Sequence, residues 1–392
     1  MRIGILVSNF PNKKPFYSKI LSESRWGGIE NVVYEMALRL NKLGYKIFVF
    51  TISFIKKFVF NYENVHVIRY GKQFTIGERN LSLKYITSAS KFDLDLLHIH
   101  RGIPLNLFIG VYIKLIKRIP IVGTIHNVYK LNNTNLGATF LSRVLIILFK
   151  KLFYYFLLSQ IDIVTTLSYM NYRESYFMQK LRKKPIIIPN GVKLVPKKKI
   201  KKRNKLFRNL EEIDEQTIII SFVGSLDYRK NPQLVVKFHK FLLKNNVPIE
   251  TYICGSGPLL NRIKKISKNY DSINILGFIS DKKLKDIYCA SNIFVLPSVL
   301  EAQPIAIMEA MSYRTLIICS NLPVFNSFII DDYNGFKIDF NNKDKLKEIS
   351  SILKNREKVD ELSDNSYDFI QKYSWEKIIK KYDKLYSEIY KY

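Results

Sequence analysis

The chain has few cysteines and acids, and no long uncharged apolar run. Cys254, Cys289 and Cys319 are its only cysteines in 392 residues. They stand far apart and form no metal-like pair, which excludes a disulfide scaffold and favours a reducing compartment. No stretch reaches about 18 uncharged apolar residues, the length a membrane-spanning helix needs. The nearest, "VLIILFKKLFYYFLL", is split by Lys150 and Lys151. The opening "MRIGILVSNFPNKK" breaks its apolar run at Asn9 and Pro11, so it reads as a first strand rather than a secretory leader. Against 33 Asp and Glu stand 63 Lys and Arg, a formal charge of +30. Such a surface attracts polyanions, either nucleic acid or acidic lipid headgroups, and charge alone does not choose between them. Lys, Asn, Ile and Tyr are all abundant, so part of the excess is consistent with compositional bias.

At this length two domains are expected, because single cores stop growing at roughly 250 to 300 residues. "RIGILVSNF", then "GGIENVVYEMALRLNKLG" with apolar residues at helical spacing and Gly44 as a stop, then "YKIFVFT", read strand, helix, strand. "DLLHIH", "IPIVGTIH", "DIVTTLS" and "KPIIIPNGV" continue a sheet covered on both faces. "PKKKIKKRNKLFRN" has no evident period and is expected to be a basic linker, 194–209. The alternation restarts with "TIIISFVGS", "PIETYICGSG", "INILGF", "NIFVLPS" and "TLIICS". The expected fold is therefore α/β, with two doubly wound Rossmann-like domains, 1–193 and 210–374, facing a central cleft.

Ligands of open α/β sheets bind beyond the carboxyl ends of the strands, so the residues following each strand are the candidates. "ICGSGPLL" lacks the third glycine of a dinucleotide fingerprint, since Leu260 stands there, which argues against NAD. The backbone from Gly255 to Gly257 suits either close approach of a phosphate or base, or a plain strand-to-helix turn. Asp93 and Asp95 resemble a metal-holding pair, but they lead into a buried strand and read as strand-entry polarity, so no essential metal is expected. His98 and His100 have no third convergent ligand and read as packing or cleft polarity rather than zinc ligands. His126, ending "VGTIH", is placed to contact substrate. Gly27 and Gly28 open a helix whose free N–H groups suit an anion, or they serve a loop needing positive φ.

"FVGSLDYRKNP" ends a strand at Gly224 and then presents Arg229 and Lys230, donors suited to a diphosphate. "NIFVLPSVLEAQPIAIMEAMS" places Glu301 in a loop, Pro304 in the first helical turn, and the N–H groups of Ile305 and Ala306 toward any anion held there. Glu309 lies a turn further in, where its two acceptor oxygens can take both hydrogens of a ribose diol. Glu301 is then positioned for hydroxyls of a sugar beyond the diphosphate. Basic groups hold phosphates and acidic groups hold sugars.

The combination of "GGIENVVYEMALRL", "TIHN", "IPNGV", "FVGSLDYRKN", "GSGP", "LGFISDKKL" and the Glu301/Glu309 spacing resembles the retaining glycosyltransferases of family 4, of the bacterial envelope or capsular polysaccharide type. The resemblance runs over nearly the whole chain and implies the GT-B fold, with the last helix, 375–392, crossing back to complete the first domain. It implies a nucleotide-sugar donor, UDP first and GDP next, on the second domain, and a saccharide acceptor on the first. Glu309 would bind ribose, Glu301 the donor sugar and Lys230 the diphosphate, His126 would lie beside the transferred sugar, and the backbone near Ile279 would face the base. His126, Glu301 and Lys230 are the expected catalytic residues; Gly28, Gly224, Arg229, Lys230, Gly257, Ile279, Ile305, Ala306 and Glu309 are the expected donor-binding ones. No cofactor is implied. Two departures stand out: Ser225 occupies a position where the family often has arginine, with Arg229 as its replacement, and Ala302, Gln303 and Pro304 replace a frequent Gly-Phe-Gly run.

"FLSRVLIILFKKLFYYFLLSQ" reads as a core helix whose basic residues face lipid, and with "KKKIKKR" it supports peripheral attachment to an anionic membrane surface from the cytoplasmic side. The implied acceptor is lipid-linked or an envelope saccharide. The competing readings are a nucleotide-sugar epimerase on the same fold, a basic nucleic-acid binder, and a homologue that binds without catalysing. The second lacks a recognition helix, zinc module or stacking motif, so no specific nucleic acid is expected.

Overall fold

The apolar runs form parallel strands in a computed structural model that describes residues 1–11, 28–53, 57–71, 73–76, 79–81, 83–100, 104–126, 150–301 and 303–390. Two units separate: Met1–Gly191 with Glu376–Tyr392, and Val192–Trp375.

The first unit contains β1 (Arg2–Leu6), β2 (Lys46–Ser53), β3 (Phe58–Tyr62), β4 (Val65–Gly71), β5 (Phe74–Ile76), β6 (Arg79–Leu81), β7 (Leu96–His100), β8 (Ile121–Ile125), β9 (Ile163–Thr166) and β10 (Ile186–Ile187). Eight of them make one sheet in the order β10-β9-β8-β7-β1-β2-β4-β3, and β5 pairs with β6 alone. All neighbours in the large sheet run parallel except β3 and β4. Every residue of β7 and β8 is buried, as a strand covered on both faces requires. Helix Gly28–Lys42 turns Val32, Val33, Met36, Ala37 and Leu40 inward. It ends before Gly44, whose φ of +88° is a conformation glycine adopts without strain. Asp93 and Asp95, at the entry to β7, both pair with the Arg2 guanidinium. The last helix, Trp375–Tyr390, buries Ile378, Ile379, Tyr382, Leu385 and Tyr386 in this unit, and the Tyr45 hydroxyl donates to Asp383 at 2.6 Å.

The second unit contains β11 (Ile218–Val223), β12 (Ile249–Cys254), β13 (Ile273–Gly277), β14 (Ile293–Leu296), β15 (Leu316–Ser320) and β16 (Gly335–Ile338). They form a parallel sheet in the order β13-β12-β11-β14-β15-β16. The strand order reverses between β11 and β14, which is the switch point where doubly wound sheets open a crevice at their carboxyl ends. Side-chain caps start several of the covering helices: Ser280 accepts from the Lys283 amide, and Asn342 from those of Asp344 and Lys345. The three cysteines are free and buried, and burial pushes the Cys254 thiol up to about 12.

The structure corrects one expectation about organisation. Segment 194–209 is not an aperiodic linker, because Lys197–Leu210 is an α-helix within the second unit. Its inward positions carry Ile200 and Phe207, which join the second unit's apolar clusters. Asn204 donates to the Cys289 and Ala290 carbonyls, and Arg208 to those of Asp214 and Thr217 and to Asn292. Of "FLSRVLIILFKKLFYYFLLSQ", residues 140–149 lie outside the described residues; in the rest Tyr154, Leu157 and Leu158 are core, while Leu152 and Phe156 are exposed. Among the described residues no helix is long and apolar enough to cross a membrane.

Candidate functional site

In the second unit, three loops at the carboxyl edge are joined backbone to backbone. The Gly224 amide donates to the Cys254 carbonyl at 3.0 Å, the Leu226 amide to Ser256 at 3.0 Å, the Leu259 amide to Leu226 at 2.9 Å, and the Gly255 amide to Gly277 at 2.7 Å. This close approach explains two of the glycines. A Cβ on Gly255 would lie 1.8 Å from the Gly224 carbonyl oxygen, and one on Gly257 would lie 2.5 Å from that of Leu226. Gly255 also has a φ of +143°. Gly257 is thus required by packing between loops, whichever ligand the edge binds. Gly224 differs, because the nearest atom to a Cβ there is 3.5 Å away, in Phe222. The protein itself does not require glycine at 224.

Across the switch point, Lys230 and Glu301 are ion-paired, with side chains only 12 % and 5 % exposed. Each is fixed by its own loop. The Lys230 amide donates to Asp227 at 2.9 Å, and Ser298, fully buried, donates its hydroxyl to the same Glu301 oxygen at 2.9 Å. The Val299 amide donates to the Arg229 carbonyl at 2.9 Å and ties the two loops together. Asp227 is the hub of the first loop. It accepts from the Ser225 hydroxyl at 2.7 Å and lies 3.9 Å from the Arg229 guanidinium, which is itself half exposed. Burial works against its charge, but the Ser225 hydrogen bond, the Lys230 amide and the two cations together hold its carboxyl below the ordinary range. Ser225, which departs from the family pattern, therefore braces Asp227.

Helix Ile305–Ser312 follows, with Pro304 at its N-cap rather than within its first turn. The Ile305 N–H, expected to face an anion, is donated instead to the Gln303 carbonyl at 3.0 Å, because the chain folds back tightly before the helix. That leaves Ala306 to carry the expectation. Glu309, on this helix, accepts from the Tyr288 hydroxyl at 3.1 Å. Burial, followed by the Glu309 charge, raises the Tyr288 phenol well above its ordinary value, so it stays a donor. The Tyr288 ring stacks on Tyr313, centroids 5.3 Å apart. Ile279, half-buried beyond β13, packs against the apolar cluster that contains Tyr252 and Ile287.

Gly28 and His126 belong to the first unit, Gly28 exposed at the start of its helix. Gly27 and Ala302 lie outside the described residues. His126 is 2 % exposed just after β8, its Nε2 3.0 Å from His100 Nδ1. His98, beneath, bridges Tyr386 of the last helix at 2.6 Å and Thr124 at 2.7 Å, and Thr124 reaches Thr165 at 2.6 Å. Burial, then the neighbouring imidazole of His126, lowers His98 to about 3, and burial lowers His100 as well. Both are neutral hydrogen-bonding groups at neutral pH. Among the described residues no cluster of three or more His, Cys, Asp or Glu could hold a metal.

The structure thus joins the loops that carry Gly224, Arg229, Lys230, Gly257 and Glu301 along one sheet edge, while Ala306 and Glu309 lie on the helix that follows the Glu301 loop. It adds Asp227, Ser298 and Tyr288, which the sequence reading did not single out. An Asp three residues before Lys230 is an Asx-turn signal that could have found the first. Nothing local marks Tyr288, which lies on the preceding helix.

Residues 26–195 match the family described as Glycosyltransferase Family 4, and residues 196–369 that described as Glycosyl transferases group 1. Alpha-monoglucosyldiacylglycerol synthase of Streptococcus pneumoniae is 25 % identical over 79 % of this chain and 71 % of its own. The UDP-Gal:alpha-D-GlcNAc-diphosphoundecaprenol alpha-1,3-galactosyltransferase of Escherichia coli is 31 % identical over 41 % of this chain and 42 % of its own. Among solved structures, sucrose-phosphate synthase from Thermosynechococcus elongatus matches with a TM-score of 0.77 at 17 % identity, covering 99 % of both chains. Anabaena HepE in complex with UDP-glucose matches with a TM-score of 0.72 at 15 % identity, covering 99 % of this chain and 100 % of that one.

Proposed function

Since the chain is a GT-B glycosyltransferase of the family 4 kind, we propose that it moves a hexosyl or N-acetylhexosaminyl unit, with retention, from a UDP-sugar to a lipid-linked saccharide. Lys230 and Arg229 take the diphosphate, Glu309 the ribose and Glu301 the donor sugar; Ile279 lies toward the base, and His126 and Gly28 serve from the first unit. The name of one relative supports the lipid-linked saccharide acceptor, since it prints a GlcNAc-diphosphoundecaprenol, and the name of the other is that of a glucosyldiacylglycerol synthase. An anionic membrane surface on the cytoplasmic side is where such an acceptor would be met, and the charge of +30 suits it.

The observation that carries this reading is the Lys230–Glu301 pair at the strand-order reversal. A diphosphate arriving there competes for Lys230, which releases the Glu301 carboxylate to the sugar hydroxyls. The bond from the anomeric carbon to the phosphate oxygen breaks, and the acceptor oxygen bonds to that carbon from the same face. The acceptor proton passes to the departing phosphate oxygen. No side-chain nucleophile or metal is needed, because Lys230 and Arg229 stabilise the developing charge of the leaving group.

A thermal-shift panel of UDP, GDP and their sugars, run on the wild type and on Glu309→Ala, tests the assignment. The reading expects a UDP response that Glu309→Ala abolishes or weakens. A response unchanged in Glu309→Ala removes the ribose assignment, and one confined to GDP removes the choice of nucleotide.

A further inference from the structure

Helix Lys197–Leu210 holds more charge than the fold uses. It carries eight cations and no acid in "KKKIKKRNKLFRNL", and acids resume only at Glu211. Three of the eight have structural work. Lys197 pairs with Asp364 at 2.6 Å, Arg203 with Asp286 at 2.5 Å, and Arg208 donates to backbone carbonyls and Asn292. The other five, Lys198, Lys199, Lys201, Lys202 and Lys205, are exposed and have no ion-pair partner among the described residues. Lys198, Lys202 and Lys205 stand at i, i+4 and i+7, on the face opposite Ile200. Leu206 and Leu210, also i and i+4, lie beside them, 59 % and 74 % exposed. At the other end of the helix, Lys197, Lys198, Lys201, Arg314 and Asp364 line a recess of about 430 Å³.

We propose that this helix is a docking surface for an acidic phospholipid membrane, lying in the headgroup layer with its lysines on phosphates and Leu206 and Leu210 inserted beneath them. Two features select lipid over nucleic acid. The face presents lysines and leucines rather than arginines and stacking aromatics, and an inserted leucine side chain is rewarded only by an apolar layer. At the recess Asp364 pairs with Lys197 and Arg314, which leaves Lys198 and Lys201 as its lysines without an ion-pair partner among the described residues. The inference rests on the membrane reading above, but it places the contact on the second unit, in a segment whose sequence alone reads as a linker.

The test is co-sedimentation of the full chain with vesicles of phosphatidylcholine and phosphatidylglycerol at physiological salt. The wild type is expected to bind these and to ignore pure phosphatidylcholine. Replacing Lys198, Lys202 and Lys205 together by Gln should weaken binding by about tenfold or more, since each lysine near an acidic surface contributes appreciably. Leu206→Gln with Leu210→Gln should weaken it as well, and Lys264→Gln with Lys265→Gln and Lys268→Gln should have little effect. An unchanged UDP thermal shift in each variant establishes that it is folded. A wild type that ignores anionic vesicles overturns both this inference and the membrane reading. A wild type that binds, with helix variants that bind equally well or no worse than the Lys264 control set, overturns this inference alone. Salt-resistant binding to RNA or DNA, lost in the same variants while vesicles are ignored, assigns the face to nucleic acid instead.

Discussion

Glu301 and Lys230, 71 positions apart in the chain, hold each other across the point where the strand order of the second unit reverses. Both are nearly buried, so removing one partner leaves the other charged without a counterion. Lys230→Ala should lower stability by about 3 kcal/mol and kcat/KM by roughly 10²- to 10³-fold. Lys230→Ala with Glu301→Ala together should recover part of the stability but none of the activity. A urea denaturation cycle checks this; strictly additive losses would show that the two side chains do not couple.

Tyr288 should set donor affinity through Glu309. Tyr288→Phe removes one hydrogen bond to a carboxylate while keeping the ring that stacks on Tyr313. The expected result is a rise of about tenfold in the donor KM, with kcat within about twofold. A fall in kcat alone would mean that Glu309 acts on the reacting sugar instead.

The glycines of the edge should divide into two kinds. Gly257→Ala drives a Cβ to 2.5 Å from a backbone oxygen and should lower the melting temperature, whereas Gly224→Ala meets nothing closer than 3.5 Å and should leave it nearly unchanged. Gly224→Ala should instead weaken UDP binding, because the added methyl lies 3.7 Å from Cγ of Lys230, the residue proposed to take the diphosphate. Equal melting losses in both would argue against a ligand beside residue 224.

Acid should destabilise the protein through its buried imidazoles. His98 lies at about 3 and His239 at about 4 when folded, both by burial, against an ordinary 6.5. The unfolded chain binds those protons first, so the stability these groups contribute is complete above about pH 6.5. It is lost as pH falls, toward about 4 for His239 and about 3 for His98, by about 1.4 kcal/mol per pH unit for each histidine within its window. Urea midpoints between pH 7.5 and 5 check the slope. His98→Gln, which can still reach Tyr386 and Thr124, should flatten it.

The alternation of apolar runs and helical periods made both sheets legible, because a strand buried on both faces such as Ile121–Ile125 leaves little room for other residues. Helix Lys197–Leu210 escaped the same reading because half of its inward stripe is polar: Asn204 and Arg208 point in beside Ile200 and Phe207 and satisfy backbone carbonyls. Residue types after Gly224 and Leu296 identified Lys230 and Glu301 separately, but their pairing depends on two loops meeting across the switch point. Neither Tyr288 on Glu309 nor Tyr386 on His98, 288 residues away, leaves a mark in local spacing. The Ile305 amide was misassigned for a smaller reason, since a turn back to Gln303 takes a donor that helix rules leave open.

The most direct measurement is a calorimetric titration of UDP into the wild type and into Glu309→Ala. The account predicts saturable binding to a single site in the wild type, weakened by about tenfold or more when the carboxylate is removed. Wild-type affinity in Glu309→Ala, or no binding to either protein, would contradict it.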